Sequence, residues 1–245
     1  MARHKVSHIH APFFTDAVLD LPEPGFQRYG TYRADSLFGG AGGDTLEGFG
    51  GSDMILGYGG DDYLTGDANN DTLFGGEGND HLYSGSGRNQ LFGDDGNDEL
   101  NSYGSADRLH GGSGDDTLIA HDGNDTLWGG EGADSMFGGL GADVFQFKAA
   151  NESGTTWATM DKIEDFEDGI DKIHLWAIDA DANKTGNQAF RLSDTGAFDG
   201  EAGSLRVIAR NGDTLIMADF NGDKVADFTI KLEGVHTLTV SDFIL

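Results

Sequence analysis

The sequence predicts an all-β protein that consists of a parallel β-roll followed by a β-sandwich-like C-terminal cap. Three observations support this prediction. Glycine provides 40 of the 245 residues, and the chain from Gly30 to Gln146 divides into 13 consecutive nonapeptides without an insertion or deletion. After Phe147 the period gives way to segments in which apolar and polar residues alternate. Short strands joined by glycine-rich turns at a fixed period are typical of solenoids.

The net charge limits the partners that the chain can have. Its 43 Asp and Glu residues against 15 Lys and Arg residues give a formal charge of −28. Nucleic acids and anionic membranes would repel such a chain, so we expect neither as a partner. There is no cysteine, no apolar run long enough to span a membrane, and no apolar core of a secretory signal at the N-terminus. Cations are therefore the expected counter-ions.

Residues 1–29 precede the repeats and are predicted to form a short N-terminal cap segment. They include Phe13, Phe14 and Leu19, which are apolar enough to cover an open end of a solenoid. The segment is too short for a catalytic domain.

The repeats at 30–146 share one pattern, which is clearest in GGAGGDTLE at Gly39–Glu47 and GGEGNDHLY at Gly75–Tyr83. The sixth position is Asp in every unit except the one with Asn89, and the eighth position is always apolar. Glycine at the first, second and fourth positions is expected to give the backbone access to left-handed conformations in a tight turn. The next three residues form a strand with only the eighth side chain pointing inward, so two units make one coil and coils must stack.

Stacked coils would bring the Asp side chains of alternate units close together. From Gly39 to Gln146 there are 21 acidic and 2 basic residues, and unpaired buried carboxylates repel one another. A hard cation held by carboxylate and carbonyl oxygens would remove this repulsion, and calcium suits such ligands better than magnesium or zinc. The alternative is a disordered, low-complexity linker, and we expect that state when calcium is absent.

The nonapeptides resemble the RTX (hemolysin-type) repeat G-G-x-G-x-D-x-U-x, which forms a calcium-binding parallel β-roll. The resemblance implies that Asp side chains and turn carbonyls of units two apart share each ion. The predicted carboxylate ligands are Asp44, Asp53, Asp62, Asp71, Asp80, Asp98, Asp107, Asp116, Asp125, Asp134 and Asp143. The predicted carbonyl ligands are those of Gly40, Gly42, Gly60, Gly76, Gly78, Gly96, Gly112, Gly114, Gly130 and Gly132.

The two edges of the roll differ in sequence. Even-numbered units keep Gly at positions one and four and Asp at six, whereas in odd-numbered units Arg33, Asn69 and Ser105 replace the fourth glycine and Asn89 replaces a ligand. We therefore predict five tighter calcium sites on the even edge and up to six weaker ones on the odd edge. The alternative is that these substitutions are neutral.

Residues 147–245 are predicted to form a C-terminal β cap that closes the roll. Its aromatic residues, with the last of the roll, are expected in the core: Phe145, Phe147, Phe166, Trp176, Phe190, Phe220, Phe228 and Phe243. The predicted strands are Asp161–Phe166, Lys172–Trp176, Ser204–Ala209, Thr214–Phe220, Ala226–Leu232 and Leu238–Leu245. Asn221-Gly222 is expected to be a tight hairpin turn rather than part of an EF-hand loop.

From about Gly111 onward the chain is similar to the C-terminal module of serralysin-type metalloproteases. This resemblance implies a C-terminal signal, ending here in Asp242-Phe243-Ile244-Leu245, for a type I ABC exporter and thus an extracellular location. No H-E-x-x-H motif occurs in this sequence, so we expect no protease domain in it. We therefore expect a non-catalytic, secreted, calcium-binding protein that acts in a matrix, in adhesion or at a surface. The alternative is a carbohydrate-binding accessory module of an extracellular enzyme, which would bind an alginate-like polysaccharide through the basic residues of the cap. These are Lys148, Lys162, Lys172, Lys184, Arg191, Arg206 and Arg210.

Overall fold

The computed structural model describes residues 25–181, 183–193 and 196–245. Most of the predicted N-terminal cap segment, residues 1–24, lies outside these described residues. The strands in chain order are β1 (Gln27–Tyr29), β2 (Ser36–Gly40), β3 (Thr45–Glu47), β4 (Met54–Gly59), β5 (Tyr63–Thr65), β6 (Thr72–Glu77), β7 (His81–Ser86), β8 (Gln90–Asp95), β9 (Glu99–Tyr103), β10 (Arg108–Ser113), β11 (Thr117–Ile119), β12 (Thr126–Glu131), β13 (Ser135–Phe137), β14 (Val144–Gln146), β15 (Asp161–Ile163), β16 (Lys172–His174), β17 (Arg191–Leu192), β18 (Ser204–Arg210), β19 (Asp213–Asp219), β20 (Phe228–Leu232) and β21 (Phe243–Ile244).

These strands form two sheets that run the length of the roll. Sheet A contains β1 and every second strand up to β13, and sheet B contains β2 and every second strand up to β14. Neighbouring strands in each sheet are parallel, and the paired residues are one coil apart, as in Leu46 with Leu64 and Ile55 with Leu73. The predicted all-β fold with a parallel β-roll is confirmed.

The eighth-position side chains fill the space between the two sheets. They are completely or almost completely buried from Leu46 to Phe145. Burying one such side chain contributes on the order of 2 kcal/mol, but only if a neighbouring coil covers it. A single nonapeptide therefore has no stability of its own.

The nonapeptide period ends at Gln146, but the parallel pairing continues. Strand β15 adds to β13 and β16 adds to β14; β20 and β21 then follow on sheets A and B. Beyond β20, sheet A continues with the antiparallel strands β19 and β18, and β17 is parallel to β18. The cap thus extends the same two facing sheets and shares one hydrophobic core with the roll. The division at residues 146 and 147 remains a prediction.

Each predicted cap strand overlaps an observed strand, β17 was not predicted, and the last strand is much shorter than expected. Only Phe243–Ile244 pairs, because Val240–Asp242 forms a 3₁₀ turn in which the buried Asp242 carboxylate accepts a hydrogen bond from the Thr239 N–H at 2.7 Å. Trp176 was expected in the core and is 63% exposed, whereas the other aromatic residues predicted there are buried.

No helix in the described part of the chain is long and apolar enough to cross a membrane.

The connection between β19 and β20 is not the predicted tight hairpin at Asn221-Gly222. Eight residues separate the two strands. The buried Asp219 carboxylate holds this loop by accepting hydrogen bonds from the backbone N–H groups of Asn221, Gly222 and Lys224. A side chain that satisfies several loop donors makes the longer connection favourable.

Candidate metal centre

The sixth-position side chains form two ladders, one along each edge of the roll. In each ladder, Oδ1 of one side chain accepts a hydrogen bond from the backbone N–H of the residue one coil earlier. Examples are Asp44 N to Asp62 Oδ1 at 2.6 Å and Asp80 N to Asp98 Oδ1 at 2.8 Å. The even ladder contains Asp44, Asp62, Asp80, Asp98, Asp116 and Asp134, and the odd ladder contains Asp35, Asp53, Asp71, Asn89, Asp107, Asp125 and Asp143. The structure therefore brings the predicted carboxylates together in two rows.

The second carboxylate oxygen, Oδ2, has no hydrogen-bond partner at ten of the eleven predicted ligands among the described residues. The exception is Asp44, whose Oδ2 accepts a hydrogen bond from the Gly40 N–H at 2.6 Å. Burial raises the pKa of Asp62 and Asp98 to about 7 and that of Asp116 to about 8. A buried carboxylate oxygen without a donor requires a cation or a proton.

Asn89 shows what the Oδ2 atoms face. Its Oδ1 accepts a hydrogen bond from the Asp71 N–H, as a ladder Asp would, and its amide nitrogen donates to the carbonyl oxygens of Gly85 and Gly87 at 3.3 Å. Those carbonyls occupy positions two and four of the same turn. In a unit with Asp, an acceptor oxygen replaces that amide donor beside the turn carbonyls. A set of carboxylate and carbonyl oxygens with no donor is the ligand chemistry of a hard cation such as calcium.

The glycines of the turn have two separate roles. Left-handed φ angles occur at positions two and four, for example at Gly76 and Gly78 with φ of 116° and 131°. The first-position glycines lack such φ angles, contrary to the expectation from sequence. At Gly57 a Cβ would collide with Asp62 Oδ2 and would lie 2.5 Å from the Gly75 carbonyl oxygen. At this position of the even edge the absence of a side chain therefore makes room for the ladder carboxylate, whereas three odd-edge units have Ser84, Ser102 or Ala120 there.

Most of the predicted carbonyl ligands belong to glycines in this left-handed conformation. They are Gly60, Gly76, Gly78, Gly96, Gly112, Gly114, Gly130 and Gly132. Gly40 does not adopt it, and its N–H is the donor to Asp44. The first turn of the even edge thus differs from the turns that follow.

Both ladders continue beyond the nonapeptides through Asp161 and Asp171, which the sequence reasoning missed. Asp161 Oδ1 accepts from Asp134 N, and Asp171 Oδ1 accepts from Asp143 N, each at 2.9 Å. Asp161 Oδ2 is buried without a partner, and burial raises the pKa of Asp161 to about 9. The signal was the repeated Asp-Lys-Ile at 161–163 and 171–173, which matches positions six to eight of the nonapeptide.

A second row of polar side chains follows the even turns at position five. Asp61 Oδ1 accepts a hydrogen bond from the Asn79 backbone N–H. In the following even turns the Oδ1 atoms of Asn79, Asn97 and Asp115 accept the equivalent bond, each at 2.8 or 2.9 Å. These contacts fix the turn backbone one residue before the ladder. Within the described residues no three His, Cys, Asp or Glu side chains surround a common point. A metal site at the ladders would therefore have to combine carboxylate side chains with backbone carbonyls.

The odd edge is less regular than the even edge. In the even turns between Gly57 and Gly132, positions two and four adopt positive φ throughout. In the odd unit at 102–110, by contrast, the left-handed residue is Gly104 at position three, and the pairing of β7 with β9 shifts register between Tyr83 and Ser86. The sequence difference between the edges thus has a counterpart in the backbone.

The fold and its two acidic ladders define a parallel β-roll of the RTX type. The family described as "Peptidase M10 serralysin C terminal" matches residues 38–245, and the chain belongs to this family. The match starts well before Gly111, where the sequence resemblance was noted. No curated protein sequence gives a significant match.

Several solved structures are similar to the chain. The R3 subunit of the mannuronan C5-epimerase AlgE6 from Azotobacter vinelandii is 28% identical, with 60% of this chain and 77% of that chain covered and a TM-score of 0.46. The R2 subunit of the same enzyme is 27% identical, with 58% and 89% covered and a TM-score of 0.41. The extracellular lipase LipA from Serratia marcescens is 18% identical, with 89% and 40% covered and a TM-score of 0.44.

Proposed function

We propose that this chain is a secreted, non-catalytic calcium-binding protein whose β-roll folds when calcium binds after export. The buried, unpartnered Oδ2 oxygens of the ladders carry this proposal. Membership of the serralysin C-terminal family supports export by a type I ABC exporter. Outside the cell the folded roll would act in a matrix, in adhesion or at a surface.

The proposed ligands of each ion are the Oδ2 atoms of two successive ladder carboxylates and the turn carbonyls at positions two and four. The even ladder offers such a set from Asp62 to Asp134, and Asp161 extends it by one coil. The Asp44 carboxylate would have to release the Gly40 N–H before it could act as a ligand. Bound calcium would supply the positive charge that the ladder lacks.

The ladder couples calcium to folding because an unfolded chain does not bring these oxygens together. Calcium that binds only the folded roll stabilises it by mass action. At the low free calcium inside a cell, carboxylate repulsion favours the unfolded, exportable chain. Millimolar calcium outside would shift the equilibrium towards the roll.

A calcium titration followed by far-UV circular dichroism, with magnesium as the control, tests this proposal. We expect a cooperative transition from coil to β-structure at high micromolar to millimolar calcium, and none with magnesium, which resists losing its water ligands. A β-signal that chelation leaves unchanged would refute the proposed switch.

The substitution Asn89→Asp tests the role of the ladder oxygens at a single position. It replaces an amide that donates to Gly85 and Gly87 by a carboxylate that cannot. We expect the variant to bind more calcium, and more tightly, on the odd edge, and to be less stable than the parent when calcium is chelated. Isothermal titration calorimetry gives the stoichiometry and affinity. Unchanged values for both would contradict the proposed sites and the predicted difference between the edges.

Polysaccharide binding is a second candidate function, and one observation favours it. The basic residues of the cap do not form one strip, since Lys162 lies in sheet A and Lys184 pairs with Asp181. However, Lys148 and Lys172 lie on or beside sheet B, where the residues that flank the buried eighth-position side chains of β2 to β16 include no Asp or Glu. The Glu152 carboxylate, which accepts a hydrogen bond from the Lys148 backbone N–H, is the acidic group beside Lys148.

A further inference from the structure

The outer face of sheet A combines tyrosine side chains with carboxylates. The residues that form this face are the two that flank each eighth position. In the described strands β1 to β13 of sheet A none of these residues is Lys or Arg, whereas Glu47 and Glu99 are among them. Arg28 is at the eighth position of β1, and its guanidinium lies over the Phe26 ring. The basic residues of the repeats lie in odd-edge turns or in sheet B and are Arg33, Arg88 and Arg108.

Three rings and one carboxylate form a cluster on β5, β7 and β9. We call it the tyrosine patch, and it consists of Tyr63, His81, Tyr83 and Glu99. The Tyr63 and Tyr83 ring centroids are 5.3 Å apart at an interplanar angle of 33°, and the His81 centroid lies 6.4 Å from that of Tyr63. Tyr63 is 46% exposed. An exposed aromatic ring is a surface on which a planar cation can stack.

Hydrogen bonds hold the Glu99 carboxylate beside these rings. Its Oε1 accepts hydrogen bonds from the Tyr83 hydroxyl at 3.3 Å and from the Asn101 side-chain amide at 2.9 Å. Its Oε2 lies 3.1 Å from His81 Nδ1, and the Glu99 side chain is still 39% exposed. Because a carboxylate has about four lone-pair sites, Glu99 can accept a further donor from a ligand.

A second carboxylate lies farther along the same face. Glu47 is on β3, and the sheet order β3-β5-β7-β9 places it three strand spacings, about 14 Å, from Glu99 along the roll. Burial and the nearby Asp67 charge raise the pKa of Glu47, and no described residue forms an ion pair with it. An extended peptide advances about 3.4 Å per residue, so side chains four residues apart would span the same distance.

We propose that the outer face of sheet A binds an extended basic segment of a partner protein. One arginine of this segment pairs with Glu99 and stacks on the tyrosine patch, and a second arginine, four residues away, pairs with Glu47. The proposal rests on the calcium-folded roll of the proposed function and names the kind of partner for its surface role. Arginine fits better than lysine, because its planar guanidinium stacks on a ring and pairs with a carboxylate through two N–H groups.

Charge complementarity and the spacing of the two carboxylates select this partner. The formal charge of −28 attracts a basic segment and repels nucleic acids and other polyanions. Two contact points about 14 Å apart favour an extended chain over a small organic cation, which would reach only one of them.

Binding is tested with the calcium-saturated full chain and two fluorescent peptides of identical composition, each with two arginines among glycine and serine. The arginines are four residues apart in the first peptide and adjacent in the second. We expect the first peptide to bind about fivefold more tightly, because only it reaches both carboxylates. A third peptide with neutral citrulline in place of both arginines should not bind measurably, and salt should weaken the binding of the first.

Three substitutions locate the binding site. We expect Glu99→Gln, Glu47→Gln and Tyr63→Ala each to weaken binding of the first peptide about threefold to fivefold, the usual size of a partly exposed ion pair or cation–π contact. In both glutamine variants the two arginine peptides should bind about equally, since a single carboxylate cannot distinguish the spacing. Glu77→Gln is the matched control, because it removes the same charge from an exposed side chain at the end of β6 in sheet B. It should bind like the parent.

Circular dichroism of every variant in calcium confirms that the roll has folded. Equal binding of the two arginine peptides to the parent, or binding that Glu99→Gln and Tyr63→Ala leave unchanged, overturns the proposal. Tight binding of the citrulline peptide overturns the assignment to a cationic partner. A calcium-induced transition without peptide binding removes only this proposal. Spacing-dependent peptide binding by a roll whose β-signal survives chelation supports this proposal and removes the folding switch.

Discussion

In calcium-free buffer the β-roll is expected to be most stable near pH 4 and to lose stability as the pH rises from about 4 to 8. Burial raises the pKa of Asp80 to about 6, of Asp71 to about 7 and of Asp116 to about 8. Protons on these carboxyl groups would replace the missing cations. The expected result is therefore an acid-stabilised apo-protein, which is unusual because acid normally destabilises folded proteins.

The direction of this pH dependence follows from the number of protons that the folded and the unfolded states bind. The folded ladder has pKa values above the ordinary Asp value of about 3.9, so at intermediate pH it binds more protons than the unfolded chain. Its contribution to stability is complete below that ordinary value and is lost as the pH rises through the raised values. His110 opposes this trend, since its lowered pKa costs stability as the pH falls below about 6.5. One histidine against a row of carboxyl groups leaves the optimum near the ordinary pKa of Asp, at about pH 4.

Thermal unfolding in chelator, followed by circular dichroism between pH 4 and 9, measures this effect. The calcium-saturated protein is the control and should show the opposite trend, because protons compete with calcium for the carboxylates. A chelated protein that is more stable at pH 8 than at pH 5 would mean that the ladder carboxylates do not limit its stability.

The substitution Gly57→Ala is expected to destabilise the calcium-bound roll by about 3 kcal/mol, near the upper end of the usual cost of overpacking. The added Cβ would overlap Asp62 Oδ2 and would lie 2.5 Å from the backbone carbonyl oxygen of Gly75. The carboxylate would have to leave its position in the ladder, so calcium affinity should fall as well. Chemical denaturation in calcium and a calcium titration measure the two effects.

Gly59→Ala is a closely matched control two residues away. Neither glycine has a positive φ, and the nearest atoms to a Cβ at Gly59 belong to Glu77 and lie 3.8 Å away. Alanine at this site should change stability by less than about 1 kcal/mol. Similar losses for both variants would show that the repeat is sensitive to any side chain in the turn, and would contradict a specific role for the first glycine.

The sequence was sufficient to predict the roll because two of its signals repeat in register. The apolar eighth position fixes which side chain of each strand points inward, and the Asp at position six fixes which edge it occupies. Pairs such as Leu64 with Leu82 and Asp62 with Asp80 follow directly from a coil of two units. Both signals are local. The period supplies the long-range information, because it tells which residues of successive coils pair.

Features that depend on three-dimensional contacts were not predictable in this way. Asp161 and Asp171 were missed because 27 and 28 residues, rather than 18, separate them from their ladder neighbours. The role of the first glycine was misassigned because sequence indicates a missing side chain but not whether conformation or space requires its absence. Trp176 was placed in the core on hydrophobicity alone, which does not specify the face of a strand.

The ladder contacts of the roll connect residues 18 positions apart, and this spacing determines how such a protein can change in length. Removal or duplication of 18 residues leaves every remaining coil with an equivalent neighbour, since each coil contacts only the coils next to it. Removal of nine residues would instead exchange sheets A and B beyond the deletion and place even-edge turns on the odd edge. The modular unit in protein engineering, and in the growth of such chains by duplication, is therefore the whole coil and not the nonapeptide.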